Sequence, residues 1–417
     1  MTEEIKQRIE TIKAGKVPDG YKKTQFGVFP DDWVTDKTLG DIGVFGKGKG
    51  IPGNMLGTGN VPCVGYGDIY MKYNYSHFEQ AQSFVDEETA KESTPIQNGT
   101  LLFTGTGETA EEIGKCVCYN GDETIYAGGD IITFNNKIVN PLFLAYQQYQ
   151  DFSLKRKARF GQGHSVVHIQ KGNLENLPVA YPVSNAEQQQ IIDMLLKWDK
   201  VIELQEKLIE KLELQKKALM QKLLKPKEEW KPVPLKKILK ERKTYSTKGQ
   251  EYIHVTLSKQ GICDKTDQYE RDFLVTSENK GYKITKLNDL CYNPANLKFG
   301  VICLNKYGSA IFSPIYVTFE ISEIYNCDFI GAVLASETFI NKIRRFEEGS
   351  LYERQAVKPN DFIKDTILIP DRSVQDDIAK AILKIDKQIR LHNEKLNLLK
   401  YQQKAMQQLL LTGIVRV

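Results

Sequence analysis

Residues 188–224 read QQQIIDMLLKWDKVIELQEKLIEKLELQKKALMQKLL, and residues 375–411 read QDDIAKAILKIDKQIRLHNEKLNLLKYQQKAMQQLLL. A shift of 187 residues superposes them without a gap, and 15 of 37 positions are then identical. The apolar positions of the first stretch are Ile191, Leu195, Trp198, Ile202, Ile209, Leu212, Leu219 and Leu223. Those of the second are Ile378, Ile382, Ile385, Ile389, Leu396, Leu399, Met406 and Leu410. With Gln205 and Lys216 counted in the first stretch and His392 and Gln403 in the second, the steps alternate between four and three, the spacing of a coiled-coil seam. Both copies break that seam at the same two places, Gln205/His392 and Lys216/Gln403. A polar seam residue costs stability but fixes register and partner. Coincident breaks mark an internal duplication rather than two helices alike only in composition.

The repeat extends outward from these helices. Lys225-Pro226-Lys227-Glu228-Glu229-Trp230-Lys231-Pro232 ends the first helix as a linker. Beyond it, Trp230, Leu235 and Ile238 correspond to Trp33, Leu39 and Ile42. Leu101-Leu102-Phe103-Thr104 corresponds to Leu290-Cys291-Tyr292-Asn293, and Ile131-Ile132-Thr133-Phe134 to Tyr316-Val317-Thr318-Phe319. Asn140 and Phe143 correspond to Asn326 and Phe329, Arg156-Lys157 to Arg344-Arg345, Gly161 to Gly349 and Pro182 to Pro370. Short β-like runs appear at Val61–Val64, Thr100–Phe103, Cys116–Tyr119 and Asp130–Phe134, followed by a helical run from Pro141 to about Phe160. The expected organisation is a short N-terminal helix (1–22), a β-rich domain (23–184), a long helix and linker (185–228), a second β-rich domain (229–371) and a second long helix (372–417). The fold class is α+β, with the two long helices pairing as an antiparallel coiled coil of pseudo-two-fold symmetry. The domains have diverged further than the helices, as two different surfaces on one frame would.

At 417 residues the chain is too long for one compact core. Its 41% hydrophobic and 26% charged residues are ordinary for a globular protein. No run approaches the roughly 20 apolar residues of a membrane span, and Met1-Thr2-Glu3-Glu4-Ile5-Lys6 lacks a signal-peptide layout. A cytoplasmic protein without a membrane partner is expected. The seven cysteines are scattered without a C-x-x-C pair, so neither a disulfide framework nor a metal site is expected. A net charge of +4 permits a local nucleic-acid-binding patch without demanding one.

The plan resembles the specificity subunit of type I restriction–modification systems. The residues that carry the resemblance are Lys22-Lys23-Thr24, Gly27, Pro30 and Trp33, and Val61-Pro62-Cys63-Val64-Gly65-Tyr66-Gly67-Asp68-Ile69. To these add the run Leu177-Pro178-Val179-Ala180-Tyr181-Pro182 leading to Glu187-Gln188, and the end Leu409-Leu410-Leu411-Thr412-Gly413-Ile414-Val415-Arg416-Val417. The second copy departs at Asp371-Arg372-Ser373-Val374-Gln375, which lacks the glutamate before Gln375. The resemblance implies that each β-rich domain is a target-recognition domain reading one half of a split, asymmetric DNA sequence. The coiled coil would set the gap between the half-sites. Two methyltransferase subunits would dock on the chain, and restriction/translocase subunits would join through them. The chain would hold no cofactor itself; S-adenosylmethionine, ATP and magnesium would belong to the partners.

Candidate double-stranded DNA contacts follow residue chemistry. Lys47 and Lys49 stand in a glycine-rich loop, and Lys155, Arg156, Lys157 and Arg159 on a helix opposite Arg344 and Arg345. Basic side chains of this kind neutralise phosphate and set position. Gln162 and His164 in the first domain, and Lys259, Gln260, Asn296 and Lys298 in the second, are candidates to reach base edges. Two stretches imitate an adenine-N6 DNA methyltransferase: Phe103-Thr104-Gly105-Thr106-Gly107, like its cofactor loop, and Tyr292-Asn293-Pro294-Ala295, like its catalytic turn. Because they occupy equivalent positions in the two repeats, they are expected to be one strand end used twice. A self-contained methyltransferase is the rival reading, and a coiled-coil scaffold without DNA recognition a third.

Overall fold

The computed structural model describes residues 2–73, 76–163, 166–246, 252–259, 261–264, 281–347 and 356–417. The chain divides into two compact units, residues 1–206 with 395–417 and residues 207–394. Each unit therefore combines one β-rich domain with parts of both long helices.

In the first unit a five-stranded sheet runs in the order Gly43–Lys47, Ile131–Asn136, Leu101–Thr104, Cys116–Tyr119, His77–Phe78. A second sheet holds Ser83–Val85, Val61–Val64, Ile125–Ala127 and Thr94–Ile96. Leu101–Thr104 and Cys116–Tyr119 are buried along their whole length, as continuous apolar runs with neighbours on both faces must be. In the second unit Leu239–Glu241, Val317–Ile321, Leu290–Tyr292 and Ile302–Leu304 repeat the order of the first four strands of that first sheet. The register repeats too. Leu101 faces Phe134 and Phe103 faces Ile132, while Leu290 faces Phe319 and Tyr292 faces Val317.

The duplication persists at the level of side chains. Trp33 meets Phe143 edge-on at 6.0 Å and 69°, and Trp230 meets Phe329 at 5.9 Å and 68°. Asn140 caps a helix by accepting from the Leu142 and Phe143 amides, and Asn326 caps its counterpart by accepting from Phe329. The Asn140 amide donates to Gln188 Oε1 at 2.7 Å, and the Asn326 amide to Gln375 Oε1 at 3.0 Å. Each glutamine then donates to a proline carbonyl, Gln188 to Pro182 at 2.8 Å and Gln375 to Pro370 at 2.9 Å. One buried glutamine thus ties each domain to the first turn of its long helix.

The run expected as one helix from Pro141 to Phe160 is two, Pro141–Gln147 and Asp151–Phe160. The ammonium of Lys157 donates to the Gln148 carbonyl at 3.0 Å, so a cation closes the end of the first helix. That contact is tertiary and leaves no periodicity to read.

The central helix spans Asn185–Leu223 (39 residues) and the C-terminal helix Arg372–Leu411 (40 residues). They pair antiparallel. In the first unit Gln403 Nε2 donates to Asp199 and Lys400 pairs with Glu206 at 2.7 Å, so numbering rises along one helix as it falls along the other. In the second unit Lys216 pairs with Asp386 at 2.6 Å. Under the shift of 187, Asp199 becomes Asp386 and Lys216 becomes Gln403, so one contact is made twice. Every seam residue from Ile191 to Leu223 and from Ile378 to Leu410 named above is buried or half-buried. No helix among the described residues is long and apolar enough to cross a membrane.

Candidate nucleic-acid and partner interfaces

The basic helix Asp151–Phe160 presents Lys155 and Arg159 to solvent and leaves Arg156 half-buried. Lys157 corrects the sequence reading. Its side chain is 1% exposed, its ammonium donates to the carbonyls of Gly114 (2.9 Å) and Gln148 (3.0 Å), and burial lowers its pKa to about 8. It is spent inside the domain and does not reach a phosphate. The pairing with the second domain also shifts. Counted from the N-caps Gln150 and Ser336, Lys157 stands opposite buried Ile343, while Arg156 and Arg159 stand opposite Lys342 and Arg345. Lys342, which sequence comparison passed over, is the basic residue the two repeats share at that point.

The Gly46–Gly50 loop is held firmly for a surface loop. The Gly48 amide donates to Ile131 O at 2.7 Å and the Lys49 amide to Ala127 O at 3.2 Å. A Cβ on Gly48 would stand 1.9 Å from Gly128 O, so glycine is required for this close approach. Lys47 and Lys49 project exposed from it and hold no ion pair among the described residues. Gln162 is exposed, on a backbone bridged to His168 by amide–carbonyl bonds of 3.0 and 2.9 Å. His164 and Gln260 lie outside the described residues.

In the second unit Asn296, Lys298 and Lys259 are exposed. Lys298 stands 5.3 Å over the ring of Phe299, itself exposed, on a short turn closed by Gly300 at φ +80°. Arg344 pairs with Glu347 at 3.2 Å; Arg345 pairs with buried Asp365 at 3.2 Å and lies 4.8 Å over Phe346. Both arginines are exposed, but each is already shared with a carboxylate. Each domain thus gathers its candidates on separate loops and one helix.

The methyltransferase look-alikes are core. Phe103 and Tyr292 are fully buried, Tyr292 stacks on Phe362 at 4.8 Å, and its hydroxyl donates to Val357 O at 3.0 Å. Among the described residues no three His, Cys, Asp or Glu side chains gather to hold a metal ion.

The residues carrying the resemblance at the chain ends are structural. Lys22 Nζ donates to the carbonyls of Asp31 (2.8 Å) and Trp33 (2.6 Å), and Thr24 closes the turn before Gly27. Arg416 forks onto Asp32 (2.9 and 2.8 Å) and Glu187 (2.7 and 3.0 Å), while Tyr21 donates to Gly413 O at 2.7 Å. This explains the missing glutamate at Val374: Glu187 answers Arg416, and residue 229, its counterpart under the shift, is a glutamate.

One polar cluster sits where the first domain meets both long helices. Tyr146 OH and Gln403 Nε2 both donate to Asp199, and His77 Nδ1 lies 3.7 Å from the same carboxyl. Burial raises the Asp199 pKa to about 6 and lowers that of His77. In the second unit Asp386 has Lys216 instead, and Ala332 replaces Tyr146.

Outside the seam, Leu204 (54% exposed) and Leu391 (49%) recur at matched positions, leaving both helices an apolar surface uncovered. Residues 30–214 match the family of the type I restriction modification DNA specificity domain. The fold is similar to that of a type I restriction–modification system S subunit from M. genitalium, at 12% identity and a TM-score of 0.52, covering 91% of this chain and 96% of that one. It is also similar to a chain from work on complex assembly and conformational transition of the type I R-M system, at 13% identity and a TM-score of 0.56, covering 96% and 100%. The match to that domain family covers residues 30–214, and the fold of the chain is the one shared with these type I restriction–modification chains.

Proposed function

We propose that the chain binds a bipartite, asymmetric double-stranded DNA site, one half-site per β-rich domain. It would direct partner subunits to methylate adenine there, or to cleave DNA that lacks the modification. The observation carrying this reading is the duplicated frame with diverged heads: the Trp–Phe, Asn–Gln and Asp–seam contacts recur while the exposed loops differ. Phosphate contacts come from Lys47, Lys49, Lys155, Arg156 and Arg159 in the first domain, and from Arg344 and Arg345 in the second. Gln162, His164, Lys259, Gln260, Asn296 and Lys298 are the proposed base readers. Each long helix extends roughly 58–60 Å at about 1.5 Å per residue. That length sets the gap between half-sites at about one turn of DNA, about 34–36 Å, or somewhat more.

Two methyltransferase subunits dock on the stripe around Leu204 and Leu391, and restriction/translocase subunits join through them. The partners supply S-adenosylmethionine, ATP and magnesium, and the complex works in the cytoplasm. Titration of the isolated chain with S-adenosylmethionine tests the division of labour. No stoichiometric binding is expected; clear binding would favour a self-contained methyltransferase.

A further inference from the structure

We propose that a groove in the second unit receives a short aromatic turn from a partner polypeptide. The groove encloses about 850 Å³ between the end of the central helix, the helix Glu337–Ile343 and the strand Thr366–Ile369. Its walls include Met220, Leu224, Trp230, Thr338 and Leu368. The first unit shows what this place holds when filled. There the counterparts of Trp230 and Thr338 are Trp33 and Phe152. Phe26 packs 5.1 Å and Phe29 6.0 Å from Phe152, and Phe29 stacks 6.4 Å from Trp33. Both phenylalanines come from the lead-in Tyr21–Pro30, which folds back on itself as a two-stranded hairpin. The second unit reaches Trp230 through the shorter stretch Lys225–Glu229, which supplies no phenylalanine.

The walls changed in the same sense. Thr338 replaces Phe152, and Leu368, opposite fully buried Ala180, is 39% exposed. The lip is polar: Lys216, Lys217 and Lys342 pair with Asp386, Glu337 and Asp365, and Lys225 and Glu213 stand beside them. The occupant is therefore a turn bearing two aromatic side chains, spaced as Phe26 and Phe29 are. Buried aromatic anchors in such pockets carry most of the energy of an interface. The proposal rests on the subunit reading only in expecting a partner; its test uses no DNA.

The probe is a peptide of residues 22–33, KKTQFGVFPDDW, titrated into the full chain, with a photoreactive phenylalanine at either aromatic position to map contacts. Binding at micromolar concentration is expected, with crosslinks to Thr338, Leu368 or Met220. Loss of tenfold or more is expected for the peptide with both phenylalanines replaced by serine, and for the chain carrying Leu368→Asp. A thermal melt establishes that this variant is folded. Equal binding of both peptides, no binding at millimolar concentration, or crosslinks at Phe152 instead would overturn the proposal. So would self-association of the chain abolished by Leu368→Asp, which would assign the groove to a second copy. Leu368 is not among the proposed DNA contacts, so failure here leaves the DNA reading standing.

Discussion

Lys157 and Asp199 show how far a residue's role departs from its type. A lysine beside Arg156 reads as a phosphate ligand, yet only its burial, invisible in the sequence, decides where its charge goes. Lys157→Ala should therefore destabilise the first unit by about 2–4 kcal/mol, since it deletes a packed side chain and leaves two carbonyls unpaired. Arg156→Ala with Arg159→Ala should instead leave the melt unchanged and weaken DNA binding alike for all sequences. The plot of log affinity against log salt should flatten by about two, at about 0.9 per lost contact. A slope unmoved by the arginine pair would remove that helix from the interface.

Asp199 makes a prediction about pH. Its carboxyl rises from 3.8 to about 6 on folding, chiefly through burial. Between those values the unfolded chain has lost the proton and the folded chain still holds it, so stability falls as pH rises through this window. The penalty is absent below 3.8 and complete above about 6, where it amounts to about 3 kcal/mol. Denaturant melts of Asp199→Asn should gain on the parent from pH 4 to 6.5 and run parallel above. His77 Nδ1 lies 3.7 Å from that carboxyl, so the same comparison in a His77→Gln background isolates Asp199. A constant difference across the window would contradict the assignment.

At the scale of elements, the long helices and the core strands of the heads are legible in the sequence and the surface loops are not. Seam spacing, matched polar breaks and the Trp, Asn and Pro correspondences are repeated local constraints, each written in the sequence twice. The break between Gln147 and Asp151, the slip of two at Arg344, and the clamp of Arg416 on Glu187 depend on contacts between distant segments. The loops that would read bases carry no repeated pattern at all. The polar breaks now have partners: Gln403 serves Asp199 and Lys216 serves Asp386. Replacing Lys216 and Gln403 with leucine should lower stability, because two carboxyls lose their partners at the helix interface. Adding Asp199→Asn and Asp386→Asn should recover much of the loss. Additive effects in that cycle would mean the contacts do not set register. The paired glutamines predict equal treatment: Gln188→Ala and Gln375→Ala should each cost about 1–3 kcal/mol, each stranding a proline carbonyl and an asparagine amide.

For the whole molecule, two different heads on one repeated frame suit the split, unequal target proposed above. Leu204→Asp with Leu391→Asp should abolish co-purification with the methyltransferase partner while leaving the melt of the chain unchanged, because both positions face solvent. Retained assembly would move the docking surface elsewhere. The most direct test is single-molecule methylome sequencing of a host carrying this chain and its methyltransferase partner, beside the same host without the chain. A new adenine motif in two unequal parts, separated by an unread gap, is predicted. An unbroken or palindromic motif, or an unchanged methylome, would contradict it.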